Sequence, residues 1–123
     1  MLNEVIMESN AIVDKSFEFA VRIVNLCKFL RNEHREYILS KQIMRSGTSI
    51  GANVSEAQRG QSKADFLAKM SIALKEANET QYWLKLLYRT DYISQTQYES
   101  IHKDMAELLS ILTVICKTAA QKK

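Results

Sequence analysis

No proline interrupts this chain of 123 residues, and only three glycines occur in it. These two residue types most often end or bend helices, because proline lacks a backbone donor and glycine is conformationally free. A chain with so few of them can run through long helices joined by short connections. Its 46% hydrophobic and 25% charged residues suffice for a core without disulfides or metals. We therefore predict one all-α domain spanning residues 1–123.

Two segments carry apolar residues at alternating spacings of three and four, the a/d pattern of packed helices. Between residues 62 and 90 these positions are Phe66, Met70, Ala73, Ala77, Thr80, Leu84 and Leu87. Between residues 94 and 120 they are Tyr98, Ile101, Met105, Leu108, Leu112, Ile115 and Ala119. Ser62 and Ser94 precede the two segments and are typical N-cap residues. The pattern predicts two long helices that share a core.

Two earlier helices are predicted from the remaining sequence. The first covers residues 11–31, after a loose arm made of the first ten residues. The second covers residues 36–59 and ends before Gly60, which suits a left-handed C′ position. Four helices joined by short loops predict an antiparallel up-down-up-down four-helix bundle.

The first of these helices is apolar around most of its circumference, which is more than a helix facing a single core requires. Two interpretations remain open: the helix lies unusually deep in its own bundle, or its second apolar side contacts another subunit. Ile23 is our candidate for that second side.

Small residues are concentrated in the middle of the second helix, where Gly47 and Gly51 are four residues apart on one face. Each glycine costs about 1 kcal/mol relative to alanine, so the pair predicts the close approach of another helix. A phosphate-binding loop is the alternative, but it requires a preceding strand and a Walker lysine. On the third helix, Tyr82 and Trp83 lie off the apolar pattern and predict a surface for a partner.

The formal net charge of +3 does not by itself identify a nucleic-acid-binding protein. The candidates for phosphate contacts are Lys41 and Arg45, four residues apart on the second helix, and Arg59 and Lys63, which flank the following turn. Repetition of such residues around an oligomer axis would strengthen the field that phosphates experience. An ordinary solvated helix surface is the alternative.

No residue pattern indicates catalysis or a cofactor. A di-iron bundle requires two Glu-x-x-His pairs, and only Glu99 and His102 have that spacing. Cys27 and Cys116 occur in apolar helical patterns, which predicts buried free thiols. The N-terminal residues do not resemble a signal peptide, and no apolar run is long enough to span a bilayer. We expect a cytoplasmic protein that binds no metal.

Four segments carry a family resemblance: Lys15–Val24, Arg45–Ala57, Ser62–Phe66 and Ala73–Leu84. Together they resemble the bacterial four-helix-bundle proteins encoded in 23S ribosomal RNA intervening sequences. The resemblance extends over nearly the whole chain and implies a left-handed bundle that assembles as a homopentamer. The accessory proteins of diversity-generating retroelements form a related branch, which partners a reverse transcriptase and contacts nucleic acid through a basic surface. This chain is less basic than that branch.

The resulting hypothesis is a non-enzymatic oligomer that binds nucleic acid, preferably structured RNA, through Lys41, Arg45, Arg59 and Lys63. The alternative is a structural or adaptor protein that binds a protein partner through Tyr82 and Trp83.

Overall fold

The computed structural model describes the backbone of residues 2–121 and the side chains of residues 10–121. The chain forms four α-helices: α1 (Leu2–His34), α2 (Ile38–Ala57), α3 (Lys63–Arg89) and α4 (Gln95–Gln121). No strand occurs within residues 2–121. The prediction of an all-α chain with four long helices is confirmed.

The first helix is longer than predicted at both ends. The expectation of a loose arm is wrong for residues 2–10, because α1 already includes Leu2; Met1 lies outside the described residues. No glycine or proline precedes Ala11. Once a helix has nucleated, each further residue adds a backbone hydrogen bond, so α1 continues through this segment.

The predicted serine caps of α3 and α4 are confirmed. Ser62 Oγ accepts a hydrogen bond from the Asp65 N–H at 3.1 Å. Ser94 Oγ accepts one from the Gln97 N–H at 3.1 Å, and Gln97 Oε1 accepts one from the Ser94 N–H at 2.8 Å. This reciprocal pair is a capping box, which provides partners for backbone donors that the helix leaves free.

The predicted ends of α2 are corrected. Glu36 precedes the helix, and its carboxylate accepts hydrogen bonds from the N–H groups of Ile38 and Ser40. At the other end Gln58 is the C-cap, and Gly60 does not adopt a positive φ angle. A Cβ at Gly60 would lie 3.2 Å from Ala57 O and Phe66 N, so lack of space favours glycine there.

The four helices contact one another in the order α1–α2–α3–α4, and α4 returns to α1. Both a/d patterns face the shared core: Met70, Ala73, Ala77, Thr80, Leu84 and Leu87 are buried on α3, and Ile101, Met105, Leu108, Leu112 and Ile115 on α4. Thr80 Oγ1 donates to Glu76 O at 2.8 Å and also lies 2.9 Å from Ser46 Oγ of α2. The polar position in the α3 pattern is therefore hydrogen-bonded within the core.

The two glycines of α2 lie where that helix meets α1. A Cβ at Gly47 would be 2.7 Å from Ile23 Cγ1, and one at Gly51 would be 3.2 Å from Ser16 O. Ile23 itself has 0% exposure. Our assignment of Ile23 to an outward face is therefore wrong, because the absent side chain at Gly47 leaves room for Ile23 inside the bundle.

Candidate nucleic-acid interface

The four basic candidates do not form one continuous patch. Lys41 lies in the first turn of α2, whereas Arg59 and Lys63 lie beyond its far end. Eighteen residues separate Lys41 from Arg59, which corresponds to about 27 Å at the helical rise of 1.5 Å per residue. All three side chains are exposed, and none is ion-paired within residues 10–121. Lys41 therefore belongs to one end of the bundle, and Arg59 and Lys63 belong to the other.

Arg45 is held by two carboxylates of α3. Its Nη1 lies 2.9 Å from Glu76 Oε2, and its Nη2 donates to Glu79 Oε1. Trp83 Nε1 also donates to Glu79 Oε1, at 3.2 Å. Because the guanidinium is already compensated by two acids, it is poorly suited to hold a phosphate. The sequence did not reveal this engagement, since the partners are more than 30 residues away along the chain.

The hydrogen bond from Arg45 lowers the pKa of Glu79 below its usual 4.5, and the bond from Trp83 contributes in the same direction. A carboxylate with a lowered folded-state pKa stabilises the fold above its unfolded-state pKa. That stabilisation is lost as the pH falls through the folded-state value. The pairing of Arg45 with Glu79 therefore stabilises the α2–α3 contact at neutral pH and weakens in acid.

The two aromatic candidates differ in exposure. Tyr82 is 60% exposed, whereas Trp83 is half-buried and packs against the core. Their rings meet edge to face with centroids 5.1 Å apart. Tyr82 is thus the accessible member of the pair, and Trp83 packs both against the Tyr82 ring and against the core.

A second exposed apolar surface follows α1. Phe17 is 65% exposed and Val21 is 41% exposed, and half-buried Val13 and Val24 extend the same row. Phe17 also lines a groove of about 510 Å³ whose opposite wall on α2 consists of small residues, including Gly51. The broad apolar arc of α1 therefore has an outward part, and it runs through Phe17 and Val21.

The loops after α1 and α3 lie at one end of the bundle. The rings of His34 and Tyr92, one from each loop region, meet edge to face at 5.5 Å. We call this end, formed by residues 28–41 and 85–98, the two-loop end. Tyr37 and Ile38 are 59% and 75% exposed there, next to Lys41. Sequence analysis selected Lys41 on this surface but missed Tyr37 and Ile38, although Arg35-Glu-Tyr-Ile38 does place a cation two residues before an aromatic residue.

The model of the 23S rRNA-intervening sequence protein family matches residues 8–114. The chain belongs to this family. A crystal structure of a protein of unknown function from the S23 ribosomal protein family, from Bacteroides thetaiotaomicron, is similar to it with a TM-score of 0.88 and 62% sequence identity. That similarity covers 89% of this chain and 98% of the other. No curated protein matches this chain.

The thiols of this family member are poor nucleophiles. Cys27 is buried, and its Sγ donates to Ser40 O at 3.3 Å. Burial raises the pKa of Cys27 to about 11, an effect that the charge of Arg31 partly opposes. Burial also raises the pKa of Cys116, which is half-buried rather than fully buried as predicted. Both thiols remain protonated at neutral pH, and thiolates are the reactive form.

The described residues contain no group of three or more His, Cys, Asp or Glu side chains that could hold a metal ion. Glu99 Oε1 accepts a hydrogen bond from Gln95 Nε2, whereas the His102 ring lies against Tyr98 with centroids 5.2 Å apart. Among the helices of the described chain, none is both long and apolar enough to cross a membrane.

Proposed function

We propose that this chain is a non-enzymatic, oligomeric protein that binds structured RNA through exposed basic residues at the ends of its bundle. The observation that carries the proposal is the exposure of Lys41, Arg59 and Lys63 without a carboxylate partner in the described part of the chain. Such side chains neutralise backbone phosphates and release counterions, which supplies most of the sequence-independent affinity for nucleic acids. We choose RNA as the first ligand to test, because the family name refers to sequences that interrupt 23S rRNA.

The assembly we infer is a homopentamer of antiparallel, left-handed, up-down-up-down bundles in the cytoplasm. The exposed row through Phe17 and Val21 supports an interface on α1. In a closed ring, each basic end is repeated around the axis. One long RNA could then contact several ends, and linked contacts raise the overall affinity without any new type of contact.

The test is a charge reversal, Lys41→Glu, measured by fluorescence anisotropy with a labelled RNA stem-loop. We expect a several-fold weaker affinity and a salt dependence whose slope is smaller by about 1 for each subunit that contacts the stem-loop, because each loses one phosphate contact. Lys103→Glu is the matched control, since Lys103 is exposed in the third turn of α4, outside the residues that form the two-loop end. Arg59→Glu with Lys63→Glu tests the other end in the same assay.

Circular dichroism and light-scattering mass should be the same for all these variants. If the Lys41 and Lys103 variants bind the stem-loop with equal affinity, Lys41 does not belong to the interface. If the unmodified protein fails to bind the stem-loop even at low salt, the proposal is wrong.

A second candidate function is that of an adaptor for a protein partner, and the 60% exposure of Tyr82 favours it. Tagged protein would be purified from a nuclease-treated lysate of its native host cells. A stoichiometric partner that persists after digestion and is lost with Tyr82→Ala supports the adaptor. Loss of all partners on nuclease treatment supports RNA binding instead.

A further inference from the structure

The two-loop end carries an excess of positive charge. Its residues include six basic side chains and three acidic ones: Lys28, Arg31, Arg35, Lys41, Lys85 and Arg89 against Glu33, Glu36 and Asp91. The difference of three equals the formal net charge of the whole chain, +3. This end therefore has a formal net charge of +3, which attracts an anionic polymer.

Glu36, the acidic residue closest in sequence to exposed Tyr37, already accepts hydrogen bonds from the backbone of α2. Glu36 is only 9% exposed, and its Oε1 accepts a hydrogen bond from the Ser40 N–H at 2.8 Å. Its charge therefore compensates the positive N-terminus of α2 and leaves the neighbouring cations free. Arg35 and Lys41 are both exposed, and neither is ion-paired within residues 10–121.

The side chain between these two cations is an exposed aromatic. Tyr37 is 59% exposed, and Lys41 lies one helical turn farther along the chain. Ile38, the next residue in the chain, is 75% exposed and adds apolar area to this end. A solvent-facing aromatic with a cation on either side is the combination with which proteins bind unpaired nucleotides, since the ring stacks on a base and the cations hold its phosphates.

The backbone at Arg35 is unfavourable for an arginine. Its φ angle is 51°, and the following N–H, that of Glu36, donates to Leu30 O at 3.0 Å and closes the end of α1. Glycine is the usual residue at such a position because a left-handed conformation costs other L-residues about 1–2 kcal/mol. The chain thus bears a strained residue where glycine would be more stable, and that residue adds a positive charge two residues before Tyr37. Backbone strain of this kind is concentrated at functional sites.

We propose that the two-loop end binds unpaired nucleotides of the RNA, with a base stacked on Tyr37 and the flanking phosphates held by Arg35 and Lys41. The inference rests on the proposed function and specifies its ligand further. A continuous duplex is a poor ligand for this surface, because its bases are stacked inside and cannot reach the ring.

The experiment compares Tyr37→Ala with Tyr82→Ala, whose native side chains are almost equally exposed at 59% and 60%. Affinity for a fluorescein-labelled single-stranded oligouridine is measured by anisotropy. We expect Tyr37→Ala to weaken binding by at least about fivefold through the loss of one stacked base, and Tyr82→Ala to have little effect. Tyr37→Phe keeps the ring and should retain the affinity.

A second pair of variants separates the charge from the backbone strain. Arg35→Gly and Asp91→Gly each replace a left-handed non-glycine residue in a loop of this end, but they change the net charge in opposite directions. We expect Arg35→Gly to bind oligouridine several-fold more weakly, while Asp91→Gly binds as tightly as the unmodified protein or more tightly. A change in the loop backbone alone would affect both variants in the same direction.

The outcomes distinguish this inference from the proposed function. Equal affinities of the Tyr37 and Tyr82 variants, or equally tight binding of the unmodified protein to a duplex RNA of the same length, overturn the stacking site. The proposed function then still stands if the stem-loop binds in a manner sensitive to Lys41→Glu. Failure of the unmodified protein to bind both oligouridine and the stem-loop overturns both proposals.

Discussion

At the scale of single residues, the absence of a side chain at Gly47 decides how α1 and α2 pack. Ile23 occupies the space that a methyl group at position 47 would need, with Cγ1 and Cγ2 at 2.7 and 2.9 Å from the expected Cβ. Since Ile23 is fully buried, the side chain has little room to retreat. The helix propensity lost at glycine, about 1 kcal/mol, is the cost of this close contact.

Gly47→Ala should therefore destabilise the fold by about 1–2 kcal/mol, because the overpacking penalty exceeds the gain in helix propensity. Urea unfolding followed by far-UV circular dichroism measures the change. A double-mutant cycle with Ile23→Ala tests the cause: this truncation should cost less in the Gly47→Ala background, because the added methyl group fills part of the cavity. Additive free energies would show that the two positions do not interact.

At the scale of the elements, both helices that lead into the two-loop end finish with a non-glycine residue in the left-handed region. These residues are Arg35 after α1, with φ of 51°, and Asp91 after α3, with φ of 67°. In the second loop the Tyr92 N–H donates to Leu87 O, five residues back, at 3.0 Å, whereas the Glu36 N–H donates to Leu30 O, six residues back. The two loops therefore share a left-handed non-glycine residue, and with it one source of strain, although their closing hydrogen bonds differ.

Arg35→Gly should raise the free energy of unfolding by about 1 kcal/mol, because glycine adopts positive φ without a steric penalty. Asp91→Gly should raise it by less, since aspartate tolerates this region through local hydrogen bonds. Denaturant unfolding of each variant measures the effect, and Arg35→Ala serves as the control that removes the charge but keeps the strain. An equal gain from Arg35→Ala would assign the destabilisation to charge repulsion among the neighbouring cations.

At the scale of the whole molecule, the exposed surface of α1 is where the proposed assembly can be tested. Phe17, at 65% exposure, is among the most exposed large apolar side chains of the described chain, and Val21 lies one turn away on the same side. The groove beside Phe17 is walled by small residues of α2, so another helix can approach closely there. This face replaces Ile23 as the site for testing the inferred homopentamer.

Phe17→Glu should convert the oligomer to monomers, because a buried interface would have to accommodate an unpaired charge. Size-exclusion chromatography with light scattering measures the mass directly. Ile38→Glu is the matched control, since Ile38 is 75% exposed but lies at the two-loop end. A Phe17→Glu variant with the mass of the unmodified oligomer would exclude this face of α1 from the interface. A monomeric unmodified protein would contradict the inferred assembly itself.

The four basic candidates also differ in how well the sequence predicts their surroundings. Lys41, Arg59 and Lys63 were predicted to be exposed cations, and the structure places them at the surface. Arg45 has the same spacing and chemistry in the sequence, yet Glu76 and Glu79 hold it. Nothing local distinguishes Arg45 from Lys41, because the difference arises from the residues that α3 presents to each turn of α2.

The sequence by itself determined the features that depend on neighbours along the chain. The scarcity of breakers, the a/d patterns of α3 and α4, and the serine caps at Ser62 and Ser94 are local, so propensity and periodicity are sufficient to predict them. Only the tertiary structure decided that Ile23 lies inside and Phe17 outside, that Arg45 is neutralised, and that Arg35, Tyr37 and Lys41 share one end with the second loop. The physical reason is that each of these outcomes depends on the rotation of one helix against another. That rotation follows from how all the side chains of the core pack together.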